Sequence, residues 1–592
     1  MKALGDWAFA AGVNRLVFHR YQHQAGLGLR PGMTMGPYGV HWERTQTWWD
    51  MVPAYHTYVA RCQFMLRQGL PVADVCYLVA EGAPQVFRAP ASALRGSPPD
   101  RIGWNFDACA PETLVADMSV KDGRLILPDG MSYAVLVLPE RETMTPALLR
   151  KIRDLAAAGA TIIGPPPGKS PGLAGFPGCD AEVHTLAGEL WGECDGIRIT
   201  EHAEGRGRVI WERALPGKTM AGARFSAQKS PRLDAALDAS RQAGAAGSPD
   251  DGPAPIQARA GTWDVGAPPL SEPQQYGDFA IVARTLARVS VPPDFESKAD
   301  LRYAHRRDAR TDIYFVANAG DIALGADCVF RVSGKQPEIW DAVTGEIRPL
   351  AEFTESGGRT AVPLKFEAHQ SFFIVFRNPA AGARYEGKTT GQDVNFVPTI
   401  ESGKLPGPWD VAFDPKWGGP EKIAFADLDD WSRRAEAGIK YYSGVAAYRK
   451  TFDMPGAHDG GGSARRAWID LGAVKNIARV RLNGRDLGVV WCPPWRVEIT
   501  GISKPKGNRL EITVANLWPN RLIGDEQLPA DCDYGPGGNL SRWPEWLVKG
   551  NPRPSPGRYT FTTWKHFGKE SPLLPSGLLG PVTIRSERAN RP

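Results

Sequence analysis

The chain has 592 residues, 42% of them hydrophobic and 23% charged, with a formal net charge of +5. That length exceeds what one hydrophobic core supports, so about three to five domains are expected. The charge is small and mixed in sign, with no dense basic block, which argues against nucleic acid as a partner. No run of about 18 apolar residues occurs, which argues against a membrane-spanning helix. Eight cysteines are scattered without a CxxC pair or zinc-ligand spacing, so buried free thiols are the expected reading.

In chain order, residues 2–11 read as a helix stopped by Gly12, and the apolar run at 15–19 as a strand. A long loop follows over 20–52, then a second helix over 53–68 opened by Pro53. This succession over residues 1–70 looks like the closing βα units of a parallel barrel, whose loops after the strands hold the active site. MKALGDWAFAAGVNRL makes a poor signal peptide, because Asp6 and Trp7 interrupt its apolar run. The chain is expected to begin in the middle of a fold.

Residues 71–220 alternate strand patterns (72–79, 123–127, 133–139, 161–164) with a helix over 145–158. Thr143 or Thr145 would cap that helix, Pro146 suits its first turn and Gly159 would stop it. These elements predict a three-layer α/β domain with a parallel sheet. Residues 221–285, rich in Ala, Gly, Pro, Ser and Asp, read as a flexible insertion. Short alternating segments over 286–378 predict a small β-sandwich, and 379–407 a linker. Residues 408–588 read as jelly-roll strands, with Asn483-Gly484 as a hairpin turn. The expected fold class is multidomain, α/β plus all-β. The 19 tryptophans gather at 42–49 and 409–564; for the second group, core packing is the plainer reading.

The densest chemistry lies in Gly32–Trp49, GMTMGPYGVHWERTQTWW, and in FHRYQHQ at 18–24. Aromatic rings lie against the C–H face of a pyranose, and His, Gln, Arg and Glu reach its hydroxyls, so this crowding suits a sugar site. Glu43 is the candidate acid–base carboxylate, a general base if the reaction inverts. Its bland alternative is a salt bridge to Arg44 or another arginine. His19, His23 and His41 are candidates for ligand hydrogen bonds, with poor spacing for a transition metal and structural hydrogen bonding as the alternative. Gln24 and Arg44 would reach sugar hydroxyls, and Trp42 or Trp48 would stack on the ring. Neither a partner carboxylate nor a metal-ligand set can be named from the sequence. Cys76 and Cys109 lack a neighbouring His, which argues against a thiol nucleophile.

These runs resemble the α-L-rhamnosidases of glycoside hydrolase family 106. The likeness extends through PVADVCYLVAEGAP, GRLILPDGMSYAVLVLP, PPDFE, YYSGVAAYRKTF and NRLIGDEQLP. Residues 72–170 resemble the amidotransferase-like domain that follows the barrel in some β-galactosidases. Residues 408–588 are similar to the galactose-binding-like jelly roll of family 2 hydrolases. The resemblance implies inverting hydrolysis of terminal α-L-rhamnosyl groups by two glutamates, with Glu43 one of them, and calcium near the sugar. It also implies that this chain is the C-terminal portion of a longer enzyme. Members carry several hundred residues before this point, with most of the barrel, the other glutamate and usually an export signal. The implied partners are a rhamnose-containing oligosaccharide or glycoside and an upstream barrel fragment. A full-length relative is expected to be periplasmic or secreted. A non-catalytic carbohydrate-binding protein and a β-galactosidase-like retaining hydrolase stand as alternatives.

Overall fold

The structure is a computed structural model, which describes residues 1–592 apart from 20, 25, 27, 39–41, 84, 214–274, 378–394, 456–465 and 588–592. It is a mixed α/β protein with many β-sheets. Among the described residues no helix is long and apolar enough to cross a membrane.

The α/β region is built on a six-stranded sheet in the order 201–204, 207–210, 161–163, 135–137, 75–78, 106–109. All pairings are parallel except that of the edge strand Glu201–Glu204. Strand residues alternate between two faces, and the burial follows. Cys76, Leu78, Leu136, Ile162 and Val209 join one core with the helices Pro146–Ala157 and Cys179–Trp191. Val75, Tyr77, Val135, Val137, Ile163 and Ile210 join another with the helix Phe279–Arg288. Thr145 caps the first of these helices through its hydroxyl, which accepts from Leu148 N at 3.4 Å.

The helix Phe279–Arg288 corrects the expected insertion at 221–285. Residues 221–274 lie outside the described residues, but Tyr276 is buried and the helix closes the second face of the sheet. Its face of Phe279, Val282 and Leu286 was masked by the biased composition just before it. The strand Arg124–Ile126 also departs from expectation. It belongs to a separate antiparallel sheet with Ser119–Lys121 and Ser132–Tyr133.

Residues 295–377 form two antiparallel sheets around one core of Phe295, Tyr314, Phe330, Val362 and Ile374. The strand Asp312–Asn318 is buried at every position because it is covered on both sides. Tyr314 and Val316 face the inner core, while Ile313, Phe315 and Ala317 meet the N-terminal helices Lys2–Ala10 and Pro53–Met65. The strand expected at 15–19 is not formed. Val13–Phe18 has no strand partner, and Leu16 N donates to the Gln63 side chain at 2.8 Å. Leu16, Val17 and Phe18 have the composition of a strand, but no neighbouring chain offers them a ladder.

The C-terminal region packs a four-stranded sheet (399–404, 583–587, 467–470, 496–498) and a six-stranded antiparallel sheet around a core with Trp409 and Trp431 at its centre. Thr399–Lys404 pairs with Thr583–Glu587, so the expected linker at 379–407 is corrected at its C-terminal end. The linker's residues 379–394 lie outside the described residues. Ile477–Leu482 and Arg485–Val490 meet through Asn483 and Gly484, at φ 55° and 85°, as a two-residue turn of that sequence requires.

Candidate active site

The loop 30–49 is held in place by the far end of the chain. Pro31–Gly32 pairs in parallel with Phe561–Thr562. Phe561 N donates to Arg30 O at 2.8 Å, and Thr34 N donates to Thr563 Oγ1 at 3.0 Å. His566 Nε2 lies 3.2 Å from Thr34 Oγ1. Gly32 has φ 91°, and a Cβ there would come within 2.3 Å of Gln24 Oε1 and 2.7 Å of Leu29 O. Only glycine fits that crossing.

Glu43 sits in the turn that follows, with 2% of its surface exposed. Its Oε2 accepts from Thr45 N at 2.9 Å, and its Oε1 is buried with no hydrogen-bond partner among the described residues. Burial pushes its pKa up, against the opposing pull of the Thr45 N–H and the charges of Arg44 and Arg30. The alternative of a salt bridge to Arg44 or another arginine is not formed: Arg44 is exposed, and among the described residues Glu43 makes no ion pair. Thr45 locks the turn. Its hydroxyl donates to Pro31 O at 2.6 Å, and its carbonyl accepts from Trp518 Nε1 at 3.0 Å. The Thr47 hydroxyl donates to Asn516 O, and Arg479 Nη2 donates to Asp50 O at 2.9 Å.

An aromatic wall adjoins the turn. Trp42 stacks on Phe18 at 4.9 Å between centroids, lies tilted against Trp48 at 4.9 Å, and stacks on His56 at 5.3 Å. Its Nε1–H donates to His56 Nε2 at 2.8 Å, which requires that nitrogen to be unprotonated. Burial lowers the His56 pKa, in keeping with a neutral ring. Tyr55 meets Trp491 edge-on at 5.1 Å, joining the wall to the C-terminal region.

Of the residues singled out in the sequence, the structure brings Glu43, Trp42 and Trp48 into this one neighbourhood. His19, His23 and Arg44 are exposed, and His41 lies outside the described residues. Gln24 staples the loop to itself: its amide donates to Met33 O at 2.9 Å and accepts from Met33 N at 2.8 Å. Trp42 is likewise half-buried among other rings, its indole N–H already spent on His56.

A small cleft of about 30 Å³ borders the same loop, lined among others by Asp525, Glu526, Arg558, Trp564 and His566. Its carboxylates are engaged. Asp525 takes Arg521 Nε at 2.9 Å and the Tyr559 and Thr560 N–H groups at 2.9 and 2.6 Å. Glu526 pairs with Arg558 at 3.1 Å and Lys565 at 3.0 Å. Glu43 does not line the cleft; Thr45 and Pro31 connect the two. The 518–566 contacts were not legible as site residues. NRLIGDEQLP carried the family likeness, but no local pattern tells that Trp518 meets Thr45, 473 residues away.

Among the described residues no group of three or more His, Cys, Asp or Glu side chains converges as a metal site. Glu43 and Gln22 each leave one buried side-chain oxygen unpartnered, against the about six to eight oxygens that calcium takes. Among the described residues the donors do not make up a calcium cage, and no step is routed through calcium.

Three findings place the chain among known proteins. A solved rhamnosidase from Novosphingobium sp. PP1Y is similar over 99% of this chain and 46% of its own, with 28% identity and a TM-score of 0.74. A Formosa agariphila protein named "Putative beta-glucuronidase" is 29% identical, over 99% of this chain and 61% of its own length. The chain therefore spans about half to three-fifths of these relatives. Residues 1–224 and 272–355 match the model of glycoside hydrolase family 106, described as alpha-L-rhamnosidase, and the chain belongs to that family.

Proposed function

We propose that this chain is part of an inverting α-L-rhamnosidase and that Glu43 is one of its two acid–base carboxyls. The observation that carries this reading is the buried Glu43 carboxyl, with one oxygen held by Thr45 N–H and the other unpartnered. A carboxyl whose pKa is raised by burial holds its proton to higher pH than a free glutamate does, which suits a general acid better than the general base expected at first. In that role Glu43 donates its proton to the glycosidic oxygen as the C–O bond breaks. A second carboxylate takes a proton from the water that attacks the anomeric carbon from the opposite face. Glu43 thereby ends as the carboxylate, with the Thr45 N–H and the nearby Arg30 and Arg44 charges to stabilise it.

His19, His23 and Arg44, exposed on the same segment, would orient the sugar, and Trp48 would offer it an apolar face. Residues 1–70 would serve as the closing part of a (β/α) barrel, completed by a polypeptide segment that supplies the rest of the catalytic unit. The α/β region would correspond to an amidotransferase-like domain and the C-terminal sheets to a sugar-binding jelly roll. The substrate would be a rhamnose-containing oligosaccharide or glycoside.

The test is hydrolysis of an aryl α-L-rhamnoside beside an aryl β-D-glucuronide, the latter because of the name the Formosa relative carries. Turnover of the rhamnoside, first release of the inverted sugar by NMR, and a loss of about 10²–10⁴-fold in Glu43→Gln are expected. Undiminished turnover in Glu43→Gln removes it from the mechanism. Rhamnose binding without turnover favours a carbohydrate-binding protein, and turnover of the glucuronide alone overturns the substrate.

A further inference from the structure

A second cleft, of about 720 Å³, opens where the α/β region, the sandwich and the turn after the helix Pro53–Met65 meet. It uses no residue of the 18–49 segment. That volume lies within the about 300–1,000 Å³ typical of ligand pockets. Three guanidinium groups line it, those of Arg124, Arg307 and Arg331.

Their hydrogen bonds divide them. Arg331 is locked inward: Nη1 donates to Pro292 O at 3.0 Å, and Nη2 lies 2.7 Å from Asp74 and 3.2 Å from Asp294. Arg124 uses Nε and Nη2 on Ser132, both at 3.2 Å, with Asp74 3.6 Å from Nη2. Arg307 uses Nε on Asp312. Arg124 Nη1 and both terminal nitrogens of Arg307 make no hydrogen bond among the described residues. The lining carboxylates are engaged elsewhere through at least one oxygen. Asp74 is shared by two arginines, and Asp308, also in the lining, accepts from Arg310 N at 2.7 Å and Thr311 N at 2.8 Å in its own turn. Burial lowers the Arg124 pKa, and the charges of Arg331 and Arg307 add to the lowering against Asp74. Nearby carboxylates raise the Arg307 and Arg331 pKa values against burial, so the donors left over among the lining residues are Arg124 Nη1 and the two terminal nitrogens of Arg307.

Leu70, Pro71, Met131 and Pro292 add apolar surface to the lining beside Ser132, Ser290 and Asp308. A forked guanidinium matches a planar carboxylate in two parallel hydrogen bonds, and an apolar wall suits the C–H face of a ring. We infer that this junction cleft binds a carboxylate-bearing sugar ring, a uronate, with its carboxylate on Arg307 and Arg124 and its C–H face on Leu70, Pro71 and Met131. The inference stands apart from the reading of Glu43: a site of this kind would hold an acidic glycan whether or not the chain hydrolyses rhamnosides.

The experiment is calorimetric titration of the whole chain with methyl α-D-galacturonoside, methyl α-D-galactoside and inorganic sulfate. Variants Arg307→Gln and Arg124→Gln are titrated alongside, with Arg310→Gln as a surface control and circular dichroism to verify folding. Binding of the uronide but not the neutral galactoside, weakened about tenfold or more in each cleft variant and unchanged in Arg310→Gln, is expected. Raised salt should also weaken it. No uronide binding, equal binding of the neutral sugar, sulfate binding without uronide binding, or uronide binding indifferent to both cleft substitutions would each overturn the proposal. The ligand comparison and salt dependence use the unmodified chain, so they decide even if a variant fails to fold.

Discussion

Two buried acidic centres in this molecule behave in opposite ways. Asp294 and Asp312, between the sandwich sheet and the α/β region, flank His305 at 3.0 and 3.1 Å, with Arg307, Lys335 and Arg331 completing the network. Burial alone would raise both carboxyls, but the imidazole and the cations outweigh it and hold both below the usual range. Glu43 is comparably enclosed, yet one backbone N–H is all that holds its carboxyl, and its pKa moves up. Enclosure alone does not set the direction in which a buried acid's pKa moves; the completeness of its partners decides between these two centres. A satisfied network fixes an interface, whereas a buried acid with a single N–H partner has its pKa raised and one oxygen left unbonded.

The widest difference should appear on removing each acid. Asp312→Ala strands His305, Arg307 and Lys335 and is expected to cost about 3–5 kcal/mol in denaturant unfolding. Glu43→Gln keeps the shape, removes the group whose ionisation burial disfavours, and is expected to lose no stability at neutral pH. The pH dependence sharpens the contrast. Carboxyls with depressed folded pKa values contribute stability that is present above their unfolded values near 3.8 and lost as pH falls through the folded ones. Glu43 has the opposite sign. Its raised value makes the fold lose stability as pH climbs from 4.5 through the folded value, and Glu43→Gln should remove that loss. Equal stability costs for the two substitutions would break the comparison.

A smaller effect is expected where the loop crosses Gln24. Gly32→Ala places a Cβ within 2.3 Å of Gln24 Oε1 at φ 91° and should cost about 1–3 kcal/mol. If the Glu43 turn is organised through this crossing, the substitution should also lower turnover without abolishing sugar binding. An unaffected unfolding midpoint would show that the crossing relaxes freely.

Much of the architecture was legible because its signals are local. Thr145, Pro146 and Gly159 bracket a helix with cap, first turn and stop. Asn483-Gly484 joins two alternating runs by a turn that only permissive residues enter readily. Val75–Leu78 reads as buried on both faces, and it is. The failures share a different cause. Leu16–Phe18 has strand composition without a strand to pair with. The helix Phe279–Arg288 follows a biased segment that hides its periodicity. Gln24 has the chemistry of a sugar ligand, and its residue type does not tell that its amide pairs with Met33. At the site, Glu43 and its tryptophans could be chosen from residue type, whereas Thr45, His56, Trp491 and Trp518 acquire their roles from contacts between distant segments. Composition can nominate a carboxylate; only the fold reveals that its second oxygen is unpaired.

The account rests on burial raising the Glu43 pKa above that of an ordinary glutamate. Its carboxyl band can be followed by infrared difference spectroscopy across pH, taking wild type minus Glu43→Gln. The expected result is a titration midpoint clearly above 4.5, the ordinary glutamate value. A midpoint at or below 4.5 would mean that Glu43 is an ordinary buried anion with a partner, and would contradict the assignment.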